Sequence, residues 1–223
     1  MNFKHYIITR LATPESTIKW LDSRLPLFNK FYVKGLSIQK VKNFSVILLV
    51  SDSIKYNFSQ FISNDFDMKI HSYESFFSNP SSILSKEDFS LDSIITSRLD
   101  SDDLLANHYV ENVQKNAAIN SIIDHKNYYF VDSSLQKFSL ESSLANAISM
   151  FLSTCFIPSE CNEKHCYASG HLQLGRSKIF ARKVFIPRVG SAAICHGPNS
   201  NSKWFRTRKQ KELDIENFNT IFS

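Results

Sequence analysis

Residues 94–104, IITSRLDSDDL, place three carboxylates directly after an apolar run that ends in an arginine. The run is rich in β-branched residues, which is typical of a strand buried in a sheet. Asp100, Asp102 and Asp103 follow it at once, and clustered carboxylates repel one another unless a cation lies among them. The stretch therefore predicts a strand whose carboxyl end carries an acidic turn beside a cation.

The chain before this stretch alternates between strand-like and helix-like segments. Residues 3–11, 43–52 and 66–73 are apolar or β-branched runs of strand length. Between them, the segment from Thr13 to Leu36 has helical spacing, with Thr13 as a cap, Pro14 in the first turn and Pro26 as a bend, and residues 53–63 have a helical pattern. This alternation predicts an α/β fold with a mixed, mainly parallel sheet and helices on both faces.

The second half is predicted to continue this sheet. A helix is expected over residues 102–118, beginning at the acidic cluster, and strands over residues 128–133, 177–185 and 190–197. The length suits a single domain, 1–223, with a first half of residues 1–104 and a second half of residues 105–223 that ends in a basic tail.

Composition excludes several classes of protein. The content of 43% hydrophobic residues and only five glycines is that of a globular chain, and the net charge of +5 favours anionic ligands. No segment is long and apolar enough to span a bilayer, so we expect a cytoplasmic protein with reduced cysteines. The spacing of Cys161, His165 and Cys166 departs from the paired pattern of structural zinc sites, which favours plain thiols.

Polar residues lie where the predicted parallel strands end. Thr9 and Arg10 end the first strand, Asp52 ends the second, and Arg98 precedes the acidic cluster. Ligands of open α/β sheets bind at this edge. Carboxylates that hold Mg²⁺ or Mn²⁺, beside arginines that bind phosphate oxygens, suit a metal-bound diphosphate. The alternative is that Asp102 or Asp103 simply caps the helix that follows.

Six segments together resemble a known family. They are HYIITRL (5–11), KWLDSRLPLF (19–28), SVILLVSD (45–52), TSRLDSDD (96–103) and, in the second half, ISMFLSTC (148–155) with CHGPNSNSKW (195–204). The chain is similar to the bacterial rhamnosyltransferases of the GT-A-fold glycosyltransferase class. R-L-D-x-D-D is the most specific element of this resemblance.

The resemblance implies a GT-A-like domain whose first half, 1–104, binds a nucleotide-diphosphate sugar, while 105–223 faces a glycan or lipid-linked saccharide acceptor. Asp100 and Asp102 match the D-x-D motif, which contacts the donor and its Mg²⁺ or Mn²⁺, and Asp103 is a further metal ligand candidate. Asp52 matches a base or ribose contact. Arg10 and Arg98, with Thr9, would lie beside the nucleotide, and His196 would complete the metal or diphosphate site.

An inverting transfer also requires a general base on the acceptor. Chain order favours Glu160 or Glu163, with His171 as a third candidate, because the acceptor side of this fold comes from the second half. Each is equally consistent with an ordinary surface residue. Residues 157–171 also contain more polar residues than the resemblance to the family would lead one to expect.

Two other functions fit parts of the pattern. A metal-dependent phosphoester hydrolase would use clustered Asp residues, but such enzymes need further ligands on other strand ends, where only Asp52 is offered. A nucleic-acid-binding module would use the basic segment KWFRTRKQK (203–211), although no nucleic-acid motif accompanies it. The same segment could instead hold the protein peripherally at the inner face of a membrane.

Overall fold

The first half of the chain builds a parallel sheet around its first strand. The structure, a computed structural model, describes residues 1–142, 149–196 and 205–223. Strand β1 (Phe3–Ala12) lies between β2 (Ser45–Val50) and β4 (Ser93–Arg98), and β3 (Asp67–Ser72) pairs with β2; all three pairings are parallel. Every residue of β2 is buried, as its continuous apolar run predicts for a strand covered on both faces.

The second half extends the same sheet, so the two halves share one scaffold. Its strands are β5 (Leu104–Leu105), β6 (Ser121–Asp132), β7 (Lys137–Ser142), β8 (Ser153–Phe156), β9 (Arg182–Cys195) and β10 (Lys211–Glu212). β8 runs antiparallel between β4 and the start of β6, β9 runs parallel to β6, and β7 and β10 follow at the far edge. The predicted mixed α/β fold is confirmed.

Helices cover both faces of this sheet because alternate strand residues point to opposite sides. On one face, Ile7 and Leu48 pack with residues of α1 (Ile18–Leu27), of the π-helical segment Phe28–Val33 and of α4 (Tyr109–Asn116). On the other, Ile8 and Leu49 pack with a second group of helices and with Tyr167. The remaining α-helices with bounds inside the described residues are α2 (Lys34–Ser37), α3 (Tyr73–Ser78), α5 (Cys161–Lys164), α6 (His171–Arg176) and α7 (Ile215–Phe222).

Two helix predictions in the first half were wrong in extent. α1 begins at Ile18, because the Thr17 hydroxyl accepts a 3.2 Å hydrogen bond from the Trp20 amide, and Thr13 remains in a turn instead of capping. Pro26 lies within α1, and the backbone turns π-helical shortly after it. Residues 53–63 form only the 3₁₀ turn Phe58–Phe61, whose rings pack into the core around Phe28.

The second-half predictions also need correction. The helix expected from the acidic cluster begins later, at Tyr109, because Leu104 and Leu105 pair with β9. A backbone segment whose hydrogen bonds are made to a neighbouring strand cannot also form the hydrogen bonds of a helix. Strand β6 begins at Ser121, seven positions before the predicted start at 128, and the segments 177–185 and 190–197 contribute to one long strand, β9.

Candidate functional site

A cleft of about 540 Å³ opens where β1 and β4 end. The parallel register of these strands, with Ile8 opposite Arg98, brings their carboxyl ends together. The cleft is lined by residues of the β1 end, the following turn, the first turns of α1 and the acidic turn: Arg10, Thr13, Glu15, Ser16, Thr17, Trp20, Arg24, Asp100, Ser101 and Asp102. Its volume lies within the range of small-molecule sites, about 300–1,000 Å³.

Asp102 is the meeting point of three separate elements. Its Oδ2 forms an ion pair with Arg24 of α1 and lies 2.7 Å from Nε2 of His196, the residue after β9. Nη1 of Arg24 is also 3.2 Å from the same imidazole nitrogen. Burial raises the pKa of Asp102, but the hydrogen bond from His196 and the charge of Arg24 outweigh burial, so the pKa falls below its ordinary value. Asp102 is therefore an ionised carboxylate on the cleft wall.

Asp103 points away from the cleft, which overturns its predicted role as a metal ligand. Its side chain is fully buried, and its Oδ1 accepts a 2.9 Å hydrogen bond from the Ile194 amide of β9. Burial, together with the negative charges of Asp102 and Asp100, raises its pKa well above the ordinary value. Since α4 begins six positions later at Tyr109 and takes no side-chain cap, the capping alternative for this cluster is also wrong.

Two arginines share one aromatic ring beside the acidic turn. The guanidinium carbons of Arg10 and Arg98 each lie 5.0 Å from the ring centroid of Tyr167. Arg98 Nη2 lies 3.6 Å from Asp100 Oδ1, a long ion pair, and its buried Nε has no hydrogen-bond partner within the described residues. Arg10 and Arg98 thus place two positive charges beside the single negative charge of Asp100.

Three of the residues predicted beside the nucleotide, Thr9, Asp52 and Arg98, are not among those that line the cleft. Thr9 is fully buried, and its hydroxyl shares a 2.7 Å hydrogen bond with the Tyr32 hydroxyl, so it cannot contact a ligand. Asp52 is exposed just after β2, where its Oδ2 accepts a 2.7 Å hydrogen bond from Ser72. It lies at the predicted edge of the sheet, but the cleft wall does not include it.

The predicted general bases Glu160 and Glu163 lie at the other edge. β8 runs antiparallel to β4, with Ser153 opposite Ser97 and Phe156 opposite Ile94, so the chain leaves β8 away from the cleft. Glu160 then forms a 2.7 Å ion pair with Lys164, and Glu163 is exposed to solvent. Chain order alone could not show this reversal. His171 begins α6, and its side chain is outside what the structure describes.

Sequence reasoning missed two cleft residues, Trp20 and Arg24, and the ring of Tyr167 on which Arg10 and Arg98 pack. Trp20 and Arg24 were part of a helical pattern, and Tyr167 lies more than 60 positions from either arginine that it contacts. The i, i+4 spacing of Trp20 and Arg24 places them on one helix face, which is a signal in the sequence. That this face turns to the cleft follows only from the fold.

Comparison with known proteins gives a family and a fold. The profile of the family described as putative rhamnosyl transferase matches residues 16–182. The crystal structure of S. aureus TarS 1–349 in complex with UDP-GlcNAc is similar, with a TM-score of 0.55 and 11% identity, covering 91% of this chain and 61% of that one. A TarS crystal structure of greater length has a TM-score of 0.51 and 12% identity, covering 86% of this chain and 36% of its own.

The chain thus spans about three fifths of the TarS fragment that it resembles. At these identities, the likeness shows a shared fold. No curated protein matches the sequence.

Proposed function

This chain belongs to the putative rhamnosyl transferase family, a glycosyltransferase family. We propose that it transfers a sugar from a nucleotide-diphosphate donor to a bacterial glycan or lipid-linked saccharide acceptor. The family description favours rhamnose as that sugar. The observation that carries this proposal is the cleft at the strand ends, where Arg10, Arg24 and Asp102 share one wall. The UDP-GlcNAc bound to S. aureus TarS supports a nucleotide-sugar donor for this shared fold.

Charge explains why such a cleft suits a diphosphate leaving group. Arg10 lines the cleft, Arg98 packs on the same Tyr167 ring as Arg10, and Asp100 lies 3.6 Å from Arg98. The leaving diphosphate gains negative charge as the glycosidic bond breaks. Fixed guanidinium groups therefore stabilise the transition state more than the ground state. Each guanidinium also offers paired N–H donors that match phosphate oxygens.

The residues present fit a divalent cation, Mg²⁺ or Mn²⁺, with two ligands from the protein. Asp102 is ionised and would supply Oδ2 as a ligand, and His196 would supply Nε2, 2.7 Å away; the cation would replace the present contact of the Arg24 guanidinium with the imidazole. The described residues contain no group of three or more His, Cys, Asp or Glu arranged for a metal. Two protein ligands suffice when diphosphate oxygens and water supply the others. When bound, the cation would neutralise charge on the diphosphate.

Asp100 and Asp52 have distinct proposed roles. Asp100 lines the cleft beside Arg98, where it can orient that guanidinium toward the donor. Asp52 stays a proposed contact to the base or ribose, reached by movement of its exposed side chain. A base contact is remote from the breaking bond, so its loss would raise the donor KM more than it lowers kcat.

The experiment is a thermal-shift screen of nucleotide sugars with and without Mn²⁺, followed by transfer assays on the donors that stabilise the fold. Nucleoside diphosphate with metal should raise Tm in a concentration-dependent way. Stabilisation by phosphate or metal alone would support a hydrolase instead, and stabilisation by oligonucleotide alone a nucleic-acid-binding module. The matched control for later variants is Asp65→Asn, a change at an exposed carboxylate before β3.

A further inference from the structure

Trp20 is a large aromatic side chain left at the cleft surface. Leu21 and Phe28, in the same helical segment, are fully buried, whereas Trp20 keeps 36% of its surface exposed. It lies on the cleft wall together with Arg10 and Asp100. An exposed indole forgoes the free energy that burial would give, so a flat apolar ligand that covered it would gain that free energy.

The ring is held in place by the charged network of the site. The guanidinium carbon of Arg24 lies 4.5 Å from the indole centroid, and Arg24 is itself fixed by its ion pair with Asp102. Because Trp20 and Arg24 are four positions apart on α1, the contact belongs to one rigid helix face. A pre-positioned aromatic ring loses little conformational entropy when a ligand stacks on it.

A nucleotide donor has a charged part and a planar, uncharged part, and the cleft offers a matching surface for each. The arginines, and a cation held by Asp102 and His196, would suit the diphosphate, which leaves Trp20 for the flat part. We propose that Trp20 is the stacking platform for the base of the nucleotide donor. This inference rests on the proposed function and adds to it the residue that recognises the base.

The test measures nucleotide affinity by titration calorimetry in four proteins: the wild type, Trp20→Phe, Trp20→Leu and Phe89→Leu. Phe89 is the matched control, an aromatic ring 53% exposed before β4, at the opposite edge of the sheet. Trp20→Leu should weaken nucleoside diphosphate binding by about fivefold or more, since stacking on one base contributes roughly 1–3 kcal/mol. Trp20→Phe should retain most of the affinity, and Phe89→Leu all of it.

Inorganic diphosphate separates stacking from an indirect effect through Arg24. It has no base, so Trp20→Leu should bind it as the wild type does. As an independent readout, Trp204→Phe leaves Trp20 as the single tryptophan of the chain. Its fluorescence should change on addition of nucleoside diphosphate and stay constant on addition of inorganic diphosphate.

Two outcomes would overturn the inference while leaving the proposed function intact. In one, Trp20→Leu binds nucleoside diphosphate with wild-type affinity. In the other, the affinity of Trp20→Leu falls by the same factor for inorganic diphosphate as for nucleoside diphosphate, which would show that Trp20 acts only by positioning Arg24. If the wild type binds no nucleoside diphosphate at all, the proposed function fails and the inference fails with it.

Discussion

Asp102 and Asp103 are neighbours in the chain, yet Asp102 faces the cleft and Asp103 is buried behind it. Asp102 bonds Arg24 and His196, whereas Asp103 accepts a hydrogen bond from the Ile194 amide. Asp102 lies in the turn, whereas Asp103 lies directly before β5 and is tied to the neighbouring strand β9 through the Ile194 amide. One acidic motif therefore supplies both a cleft carboxylate and an anchor between the acidic turn and β9.

Asp102→Asn should lower the transfer rate by about 100-fold or more while the fold persists. The amide keeps the shape of the side chain but removes the charge that holds Arg24 and His196, and losing one preorganised electrostatic contact commonly costs a factor of that size. Steady-state kinetics at saturating Mn²⁺ measures the effect, and circular dichroism checks the fold. Near-native turnover of Asp102→Asn would show that Asp102 has no role in transfer. The control variant Asp65→Asn should leave turnover unchanged.

Asp103 should behave in the opposite way. Asp103→Asn retains an oxygen that can accept from the Ile194 amide, so both turnover and stability should stay close to those of the wild type. Asp103→Leu removes that acceptor from a fully buried position and should lower the free energy of unfolding by about 1–3 kcal/mol. Urea denaturation of both variants gives the comparison. Equal stability of Asp103→Leu and the wild type would show that this hydrogen bond does not anchor the turn.

Gly190 allows β9 to pass close to a buried histidine. A Cβ atom at this position would lie 2.2 Å from Cγ of His125, whose ring stacks on Tyr109 at a centroid distance of 4.8 Å. The imidazole cannot move aside, so Gly190→Ala should destabilise the fold by about 1–3 kcal/mol. Adding His125→Ala should relieve part of that cost. A double-mutant cycle by urea denaturation measures the coupling, and strict additivity would contradict the predicted clash.

Three buried histidines should make the fold sensitive to mild acid. Burial lowers the pKa of His5 to about 3, of His125 to about 3 and of His165 to about 4, from an ordinary value of 6.5. Below pH 6.5 the unfolded chain binds protons at these residues and the folded chain does not. Stability is therefore full above pH 6.5 and falls as the pH decreases, by up to about 2 kcal/mol per histidine between pH 6.5 and 5.

Unfolding free energies from urea denaturation at pH 7, 6 and 5 measure this dependence. The His125→Ala variant should reduce the slope against pH by the equivalent of about one proton. A slope that is unchanged in this variant would show that His125 is not kept neutral by the fold.

The sequence predicted the parts of the fold that depend on local pattern. Strands β1, β2 and β4 were found because their residues are buried over continuous runs. The helix expected at residues 102–118 was placed too early, since the pairing of Leu104 with Ala192 joins residues almost 90 positions apart. No local pattern contains such information, and tertiary pairing overrides helix propensity there.

The same distinction applies to the site. Arg10, Asp100 and Asp102 lie at the ends of strands that the sequence predicted to be parallel, and the structure brings them to one cleft. His196 contacts Asp102 across 94 positions, a contact that no local pattern in the sequence contains, and its role in a metal or diphosphate site stays a prediction. Glu160 was misplaced because the direction of β8, antiparallel to β4, could not be deduced from the residues themselves.

The basic segment 203–211 leads to a prediction about where the protein works. Lys203 and Trp204 lie outside the described residues, while Arg206 and Lys209 are exposed and Arg208 forms a 3.5 Å ion pair with Glu141. No helix in the described part of the chain is long and apolar enough to cross a bilayer. We propose that the segment attaches the protein peripherally to anionic membranes that carry its acceptor.

Sedimentation with vesicles of anionic lipid tests this attachment. Each basic residue near an anionic surface contributes on the order of 1 kcal/mol, and the attraction is screened within a Debye length, so binding should fall steeply as salt rises. Changing the five basic residues of 203–211 to Gln should abolish binding, whereas Gln at Lys178, Arg182 and Arg188, which are exposed around the start of β9, should leave it in place. Equal binding to neutral vesicles, or loss in both variants, would show that net charge or apolar contact acts instead of this segment.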